Sequence, residues 1–208
     1  MYTAGVGLPD GDSLRPLLPR LEEAGGELAV GAIRDGAGFP LRRLFVPAPP
    51  PAPRAVPDRP DNIFEAAHAR QHEAAEQADY NEKHRAWLER VRRQESIFID
   101  FIGRYLATQP ASRSDLRSAV LRANLFFSEP NLFTSTSRNV VIFITDGKDN
   151  VNPKPLDVGL PADVIVVCGP GSAGYLEPLH PGRFESFDAA VRFVVSAPTN
   201  QGERNVRR

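Results

Sequence analysis

The stretch NVVIFITDGKDN, residues 139–150, holds five consecutive apolar residues, Val140 to Ile144. They run into Thr145-Asp146-Gly147 and then a polar cluster of Lys148, Asp149 and Asn150. A run this short, and this rich in β-branched side chains, predicts a strand over residues 139–145 covered on both faces, as in a parallel sheet. Ligands of open α/β sheets sit beyond the carboxyl ends of such strands. Asp146 stands at that end and is the first candidate for a ligand-facing residue. Its bland alternative is a turn aspartate before glycine.

Working outward, ADVIVVCGPG (162–171) predicts a second buried strand, and FESFDAAVRFVVS (184–196) a closing helix. Upstream, Ser114 is placed to cap a helix whose face is Leu116, Val120, Ala123 and Phe127, with Pro130 ending it. Near the start, Asp12 and Ser13 can cap a helix over 14–23, shortened or bent by Pro19 and stopped by Gly25-Gly26. ELAVGAIRDGAGFPLRRLFVP (27–47) predicts an antiparallel hairpin of strands 28–33 and 41–46 around an Asp/Gly-rich turn.

Between these parts the composition changes. Residues 47–60 hold seven of the chain's 20 prolines, a stiff polyproline-like spacer. Asn62 with Glu65 then resembles a capping box, and a long helix follows. Charges of both signs fill its first half, with no apolar stripe and no sustained heptad over 63–86, which predicts a solvated helix. Apolar residues return at helical spacing as Trp87, Val91, Phe98, Ile102 and Tyr105, so the later part docks on the core and ends near Thr108. The expected organisation is a first part over 1–47, an insertion over 48–95, the remainder over 96–198 and a flexible tail over 199–208.

Bulk properties narrow the function. With 25 basic and 26 acidic residues in 208, the chain lacks the footprint of a nucleic-acid binder. No apolar run approaches the roughly 20 residues of a membrane span. MYTAGVGLPDGD lacks the n- and h-regions of a signal peptide, and one cysteine, Cys168, allows no internal disulfide, so a cytoplasmic setting is expected.

With hairpin, SDLRSAVLRA and VVIFITDGKDN in this order, the chain resembles a von Willebrand factor type A domain. That likeness covers residues 12–47 and 96–195. It implies an α/β fold with a Rossmann-like, doubly wound, mostly parallel sheet carrying one antiparallel edge strand. It also implies a metal-ion-dependent adhesion site, in which Ser114 matches the second-loop threonine and Asp146 the third-loop aspartate. The ion would be Mg²⁺ or Mn²⁺, held by oxygens and leaving a position for a partner protein's acidic side chain. Two departures stand out: serine replaces threonine, and the first-loop D-x-S-x-S occurs nowhere in the chain. In many family members that motif continues into a methionine. Met1 would then follow an upstream strand and metal loop, the alternatives being a degenerate domain or coincidence.

Other motifs are weaker. Gly169, Gly171 and Gly174 satisfy G-x-G-x-x-G after a strand, but Pro178 and Pro181 follow where a phosphate-binding helix should start. Ser172 lacks the first glycine of a nucleophile elbow, Pro170 standing there. His68 and His72 share a helix face beside Glu65 and Glu76, a spacing that can bind zinc, though a solvated charged face explains it more simply. Cys168, Trp87 and Phe98 read as core, Lys148 and Asp149 as rim charges. The expectation is therefore a non-enzymatic interaction module. The alternative is a nucleotide- or dinucleotide-dependent enzyme using residues 169–174.

Overall fold

The structure is a computed structural model describing residues 10–33, 40–53, 63–107, 114–129, 138–152, 154–168 and 173–196. It is mixed α/β, with a three-stranded parallel sheet and a two-stranded antiparallel one. The Asn62–Glu65 capping pair, Ser172 and the 199–208 tail lie outside the described residues and side chains.

The first described element is a 3₁₀ turn, Asp12–Leu17, passing directly into helix α1, Leu18–Ala24. Asp12 and Ser13 do not cap it. Asp10 does that work, accepting from the Ser13 N–H at 2.9 Å and its hydroxyl at 2.7 Å. Pro19 falls in the first turn of α1, where a missing N–H is harmless, so the predicted single helix divides into two pieces instead of bending. Gly25, at φ +72°, ends α1 and turns the chain at once into β1, Gly26–Val30. The strand therefore begins two residues before the sequence suggested. It pairs antiparallel with β2, Arg42–Val46, in the register Gly26 to Val46.

Helix α2, Ile63–Ala107, is 45 residues long, about 68 Å at 1.5 Å per residue. It runs unbroken across residue 95. From 70 to 83 nearly every side chain is exposed; Trp87, Val91, Phe98, Ile99 and Ile102 are buried, while Tyr105 is half-buried. The Trp87 indole N–H donates to the Pro47 carbonyl at 3.2 Å, fastening the start of the proline-rich segment to the helix.

Helix α3, Leu116–Ser128, buries Leu116, Ala119, Val120 and Phe126; the predicted Ala123 and Phe127 are only half-buried. Its cap is Asp115, not Ser114: the carboxylate accepts from the Ser118 N–H at 2.8 Å. Strand β3, Val140–Ile144, pairs parallel with β4, Asp163–Val167, and β4 with β5, Gly182–Phe184. β5 has only three residues and no apolar run, so no pattern announced it. Helix α4, Phe187–Ser196, closes the fold.

Three packed clusters result, the smallest joining Ile165 and Val167 of β4 to Ala190 of α4. The docked end of α2, the 3₁₀ turn, α1 and α4 share a cluster with Leu44 and Val46 of β2, against which Leu28, Val30, Ile142 and Ile144 also pack. On the opposite side of β3, α3 packs with Phe143, Val166, Leu156, Cys168 and Leu176. Cys168 is buried, takes part in no disulfide and serves as core filler. No described helix is long and apolar enough to cross a membrane.

Candidate functional site

Beyond the carboxyl end of β3, two loops are stitched together. The Asn150 N–H donates to the Ser114 carbonyl at 2.9 Å, and the Arg117 N–H to Asp149 Oδ2 at 3.0 Å. The Asn152 amide donates to Asp115 Oδ1 at 2.9 Å and to Asp149 Oδ2 at 3.1 Å. Residues distant in sequence, Ser114 and the Asp146 turn, thus share one face because a buried strand and a capped helix both end there.

The aspartates divide by role. Asp115 is 6% exposed and accepts from the Ser118 N–H, the Ser118 hydroxyl and Asn152, so its lone pairs face inward. Asp149 accepts from the Val151, Asn152 and Arg117 N–H groups as well as the Asn152 side chain. Burial pushes the Asp149 carboxyl up, but those donors outweigh it and hold it below the ordinary value. Asp149 is therefore no rim charge, as the sequence suggested, but the knot joining the loops. Asp146 differs: Oδ1 accepts the Lys148 N–H at 3.1 Å, closing a short turn, and Gly147 follows at φ +76°. Lys148 is exposed.

A third segment packs against the Asp146–Gly147 turn. Gly174 adopts φ +54°, and a side chain there would strike the Gly147 carbonyl, which also accepts the Tyr175 N–H at 2.7 Å. Only glycine fits that approach. The Tyr175 hydroxyl is buried without a partner, and burial, then the nearby Asp149, raises its pKa. Sequence reasoning missed Tyr175, since a lone tyrosine in a proline-flanked segment gives no signal. The described residue of the glycine motif, Gly174, opens a six-residue 3₁₀ helix, Gly174–Leu179, which is too short to offer a phosphate an α-helical N-terminus.

The Ser114 and Asp146 loops are joined through the Asn150–Ser114 hydrogen bond, and the two residues alone do not make a metal centre. A hard divalent cation seeks six oxygens, and the neighbouring carboxylates of Asp115 and Asp149 are occupied by donors. Among the described residues there is no group of three or more His, Cys, Asp and Glu suited to an ion, a statement that includes His68, His72 and Glu76. His72 Nδ1 lies 3.5 Å from Glu76 on a solvated helix. A groove of about 510 Å³ opens elsewhere, between Pro50, Pro51 and Pro53 and the side chains of Glu76, Asp79, Tyr80 and Lys83; it shares no residue with the stitched loops. No family model, no curated protein and no solved structure matches the chain.

Proposed function

We propose that this chain is a protein-interaction module of the von Willebrand factor type A kind, built on a Rossmann-like doubly wound sheet. It takes a partner's acidic side chain at the face beyond the carboxyl end of β3. The observation carrying this function is the Asn150–Ser114 hydrogen bond at 2.9 Å with its neighbours, which brings the two loops expected to receive the partner onto one rigid face.

Ser114 supplies a hydroxyl and Asp146 a carboxylate to that face, and either could serve Mg²⁺ or Mn²⁺. Two oxygens leave an octahedral ion short of protein ligands, so the donor set of the described residues does not fit an ion unaided. The exposed Lys148 beside Asp146 supplies the positive charge that an acidic side chain needs, in a rim position where such contacts govern approach more than affinity.

The test is titration with a short glutamate-containing peptide, with and without Mg²⁺, following the amide resonances of the whole chain. Shifts confined to Ser114 and residues 146–150, lost in Asp146→Ala and Lys148→Ala, support the module. Shifts around residue 174 on adding ATP or NAD, with none from the peptide, would replace it with the nucleotide-dependent enzyme.

A further inference from the structure

Exposed apolar side chains are ordinary one at a time. Two of the four large ones among the described residues, Phe45 at 53% and Ile97 at 60% exposed, fall on a single valley between β2 and α2. Phe45 and Pro47 form one wall of a groove of about 200 Å³, and Trp87, Arg90, Val91 and Gln94 form the other. Ile97 continues the second wall. It follows Gln94 and Arg90 at helical spacing, on a stripe that reaches half-buried Phe101.

Strand and helix keep step along this valley. The Arg42 guanidinium lies 5.0 Å from the centre of the Phe101 ring, while Phe45 shares its groove with Arg90 and Gln94. Three residues of strand cover about 10 Å, as does the helix from Gln94 to Phe101. β2 therefore runs antiparallel to α2, and Ile97 lies between the groove and Arg42.

The rim is cationic. Arg90 stands at the groove, Arg42 at the far end, and Arg93 one helical turn before Ile97. None of these three has an ion pair or hydrogen bond among the described residues, although Arg92, next to Arg93, reaches Glu22. The stripe Arg90, Gln94, Ile97, Phe101 carries no carboxylate; Glu89 and Asp100 each lie a step around the helix from it. Uncompensated guanidiniums around two exposed apolar side chains are complementary to a segment that is acidic and apolar at once. The described start of the chain sits on another side of α2, where Gly11 meets Ile99, about 200° around the helix from Ile97.

We propose that this valley docks a short acidic helix of a partner protein. One large apolar side chain of that helix fills the groove between Phe45 and Arg90, and a second covers Ile97. Spacing specifies a helix: Arg90 to Ile97 is about 10 Å, which positions i and i+7 of a helix match, whereas same-face residues of a strand fall about 7 or 13 Å apart. Carboxylates on its flanks meet Arg42, Arg90 and Arg93 at the rim, where they steer approach and fix direction. The valley shares no residue with the face beyond β3 and stands whether or not that face takes an acid.

The experiment titrates the full chain with a synthetic helical peptide carrying leucines at i and i+7 on a background of Ala, Asp and Glu, and with its Asn/Gln counterpart. Trp87 lines the groove and reports by fluorescence, while amide resonances locate the contact. The acidic peptide should shift residues 42–47 and 87–101 and leave Ser114 and residues 146–150 unmoved. Phe45→Thr and Ile97→Gln should each weaken binding about tenfold, and Arg90→Glu with Arg93→Glu about a hundredfold. Urea midpoints should barely move, because all four side chains are exposed. Equal affinity for the neutral peptide, shifts confined to the β3 face, or no response at saturation overturns the proposal. So does contact of the Ile97 methyls with residues before Asp10 in the peptide-free chain, or self-association abolished by Ile97→Gln, since the occupant is then the chain itself or a second copy.

Discussion

Glu95 sits in α2 facing α1, 5% exposed, with Oε1 lacking a hydrogen-bond partner. Burial, then the charge and hydrogen bond of Glu22, raise its pKa to about 7, while Arg92 pulls weakly the other way. Arg92 is itself drawn to Glu22, its Nε lying 3.6 Å from Oε1. An acid whose pKa is 4.5 when exposed and about 7 when folded binds more protons in the folded state between those limits. Stability is then full below pH 4.5, declines as pH rises, and is lost once pH passes 7. At 1.36 kcal/mol per pH unit the span corresponds to about 3 kcal/mol. Other carboxylates titrate too, so the measurement is a difference. Wild type and Glu95→Gln are unfolded in urea from pH 5 to 8, with fluorescence of Trp87, the only tryptophan, as the signal. The two should be nearly equal at pH 5. At pH 8 the glutamine variant should be more stable, by about 3 kcal/mol at most. Glu22→Gln should move the midpoint downward without abolishing the dependence, because burial is the larger cause. A difference that stays flat with pH, or wild type the more stable at pH 8, would refute the buried-acid account.

Arg43 bridges Glu27, whose side chain is 3% exposed, and Glu129, and its guanidinium lies 4.9 Å from the centre of the Phe126 ring. Arg43→Ala should destabilise by about 2 kcal/mol, discounted for the partial exposure of Arg43, because Glu27 is left buried and unpaired; urea unfolding at neutral pH reads it. Asp115→Ala removes the α3 cap and the Asn152 anchor together and should cost about 2 kcal/mol. Its amide resonances should broaden over residues 146–152, whereas a simple cap loss would disturb only the first turn of α3. Gly174→Ala forces a side chain against the Gly147 carbonyl at positive φ and should lower the melting temperature by several degrees, about 2 kcal/mol.

Strands β3 and β4 were legible because Val140–Ile144 and Val164–Val167 are short apolar runs with little alternative, although four of five residues in β3 are only half-buried. Trp87, Val91, Phe98 and Ile102 were legible as a helical face for the same reason of spacing. What failed to show was whatever depends on two distant segments meeting. Asp115 outcompetes Ser114 as the cap because its carboxylate also receives Asn152, 37 residues away. Asp149 looked like a rim charge, and only the approach of Arg117 and Asn152 turns it inward. β5 exists because β4 offers it a ladder, not because Gly-Arg-Phe favours a strand. The loops of Ser114 and Asp146 are tied by the Asn150–Ser114 hydrogen bond, while the neighbouring Asp115 and Asp149 carboxylates are taken up by donors rather than left for an ion.

Helix α2 shows how far local chemistry can carry structure without packing. Over its solvated length the side chains brace one another along the helix: Lys83 with Asp79 at 2.6 Å, Gln77 with Asn81 at 2.9 Å. Such exposed pairs contribute about 0.3–0.5 kcal/mol each, too little to hold a helix that must nucleate alone. What holds it is continuity with the docked end. Tyr80, His84 and Trp87 form a ring ladder with centroid spacings of 5.6 and 5.5 Å, leading from the solvated length onto buried Trp87. Once Trp87 and Val91 are packed, nucleation is already met and each further residue toward Ile63 adds a helical bond at small cost. The solvated length is therefore an extension of the core helix, and loosening Trp87 should fray it from the docked end as well as from its tip.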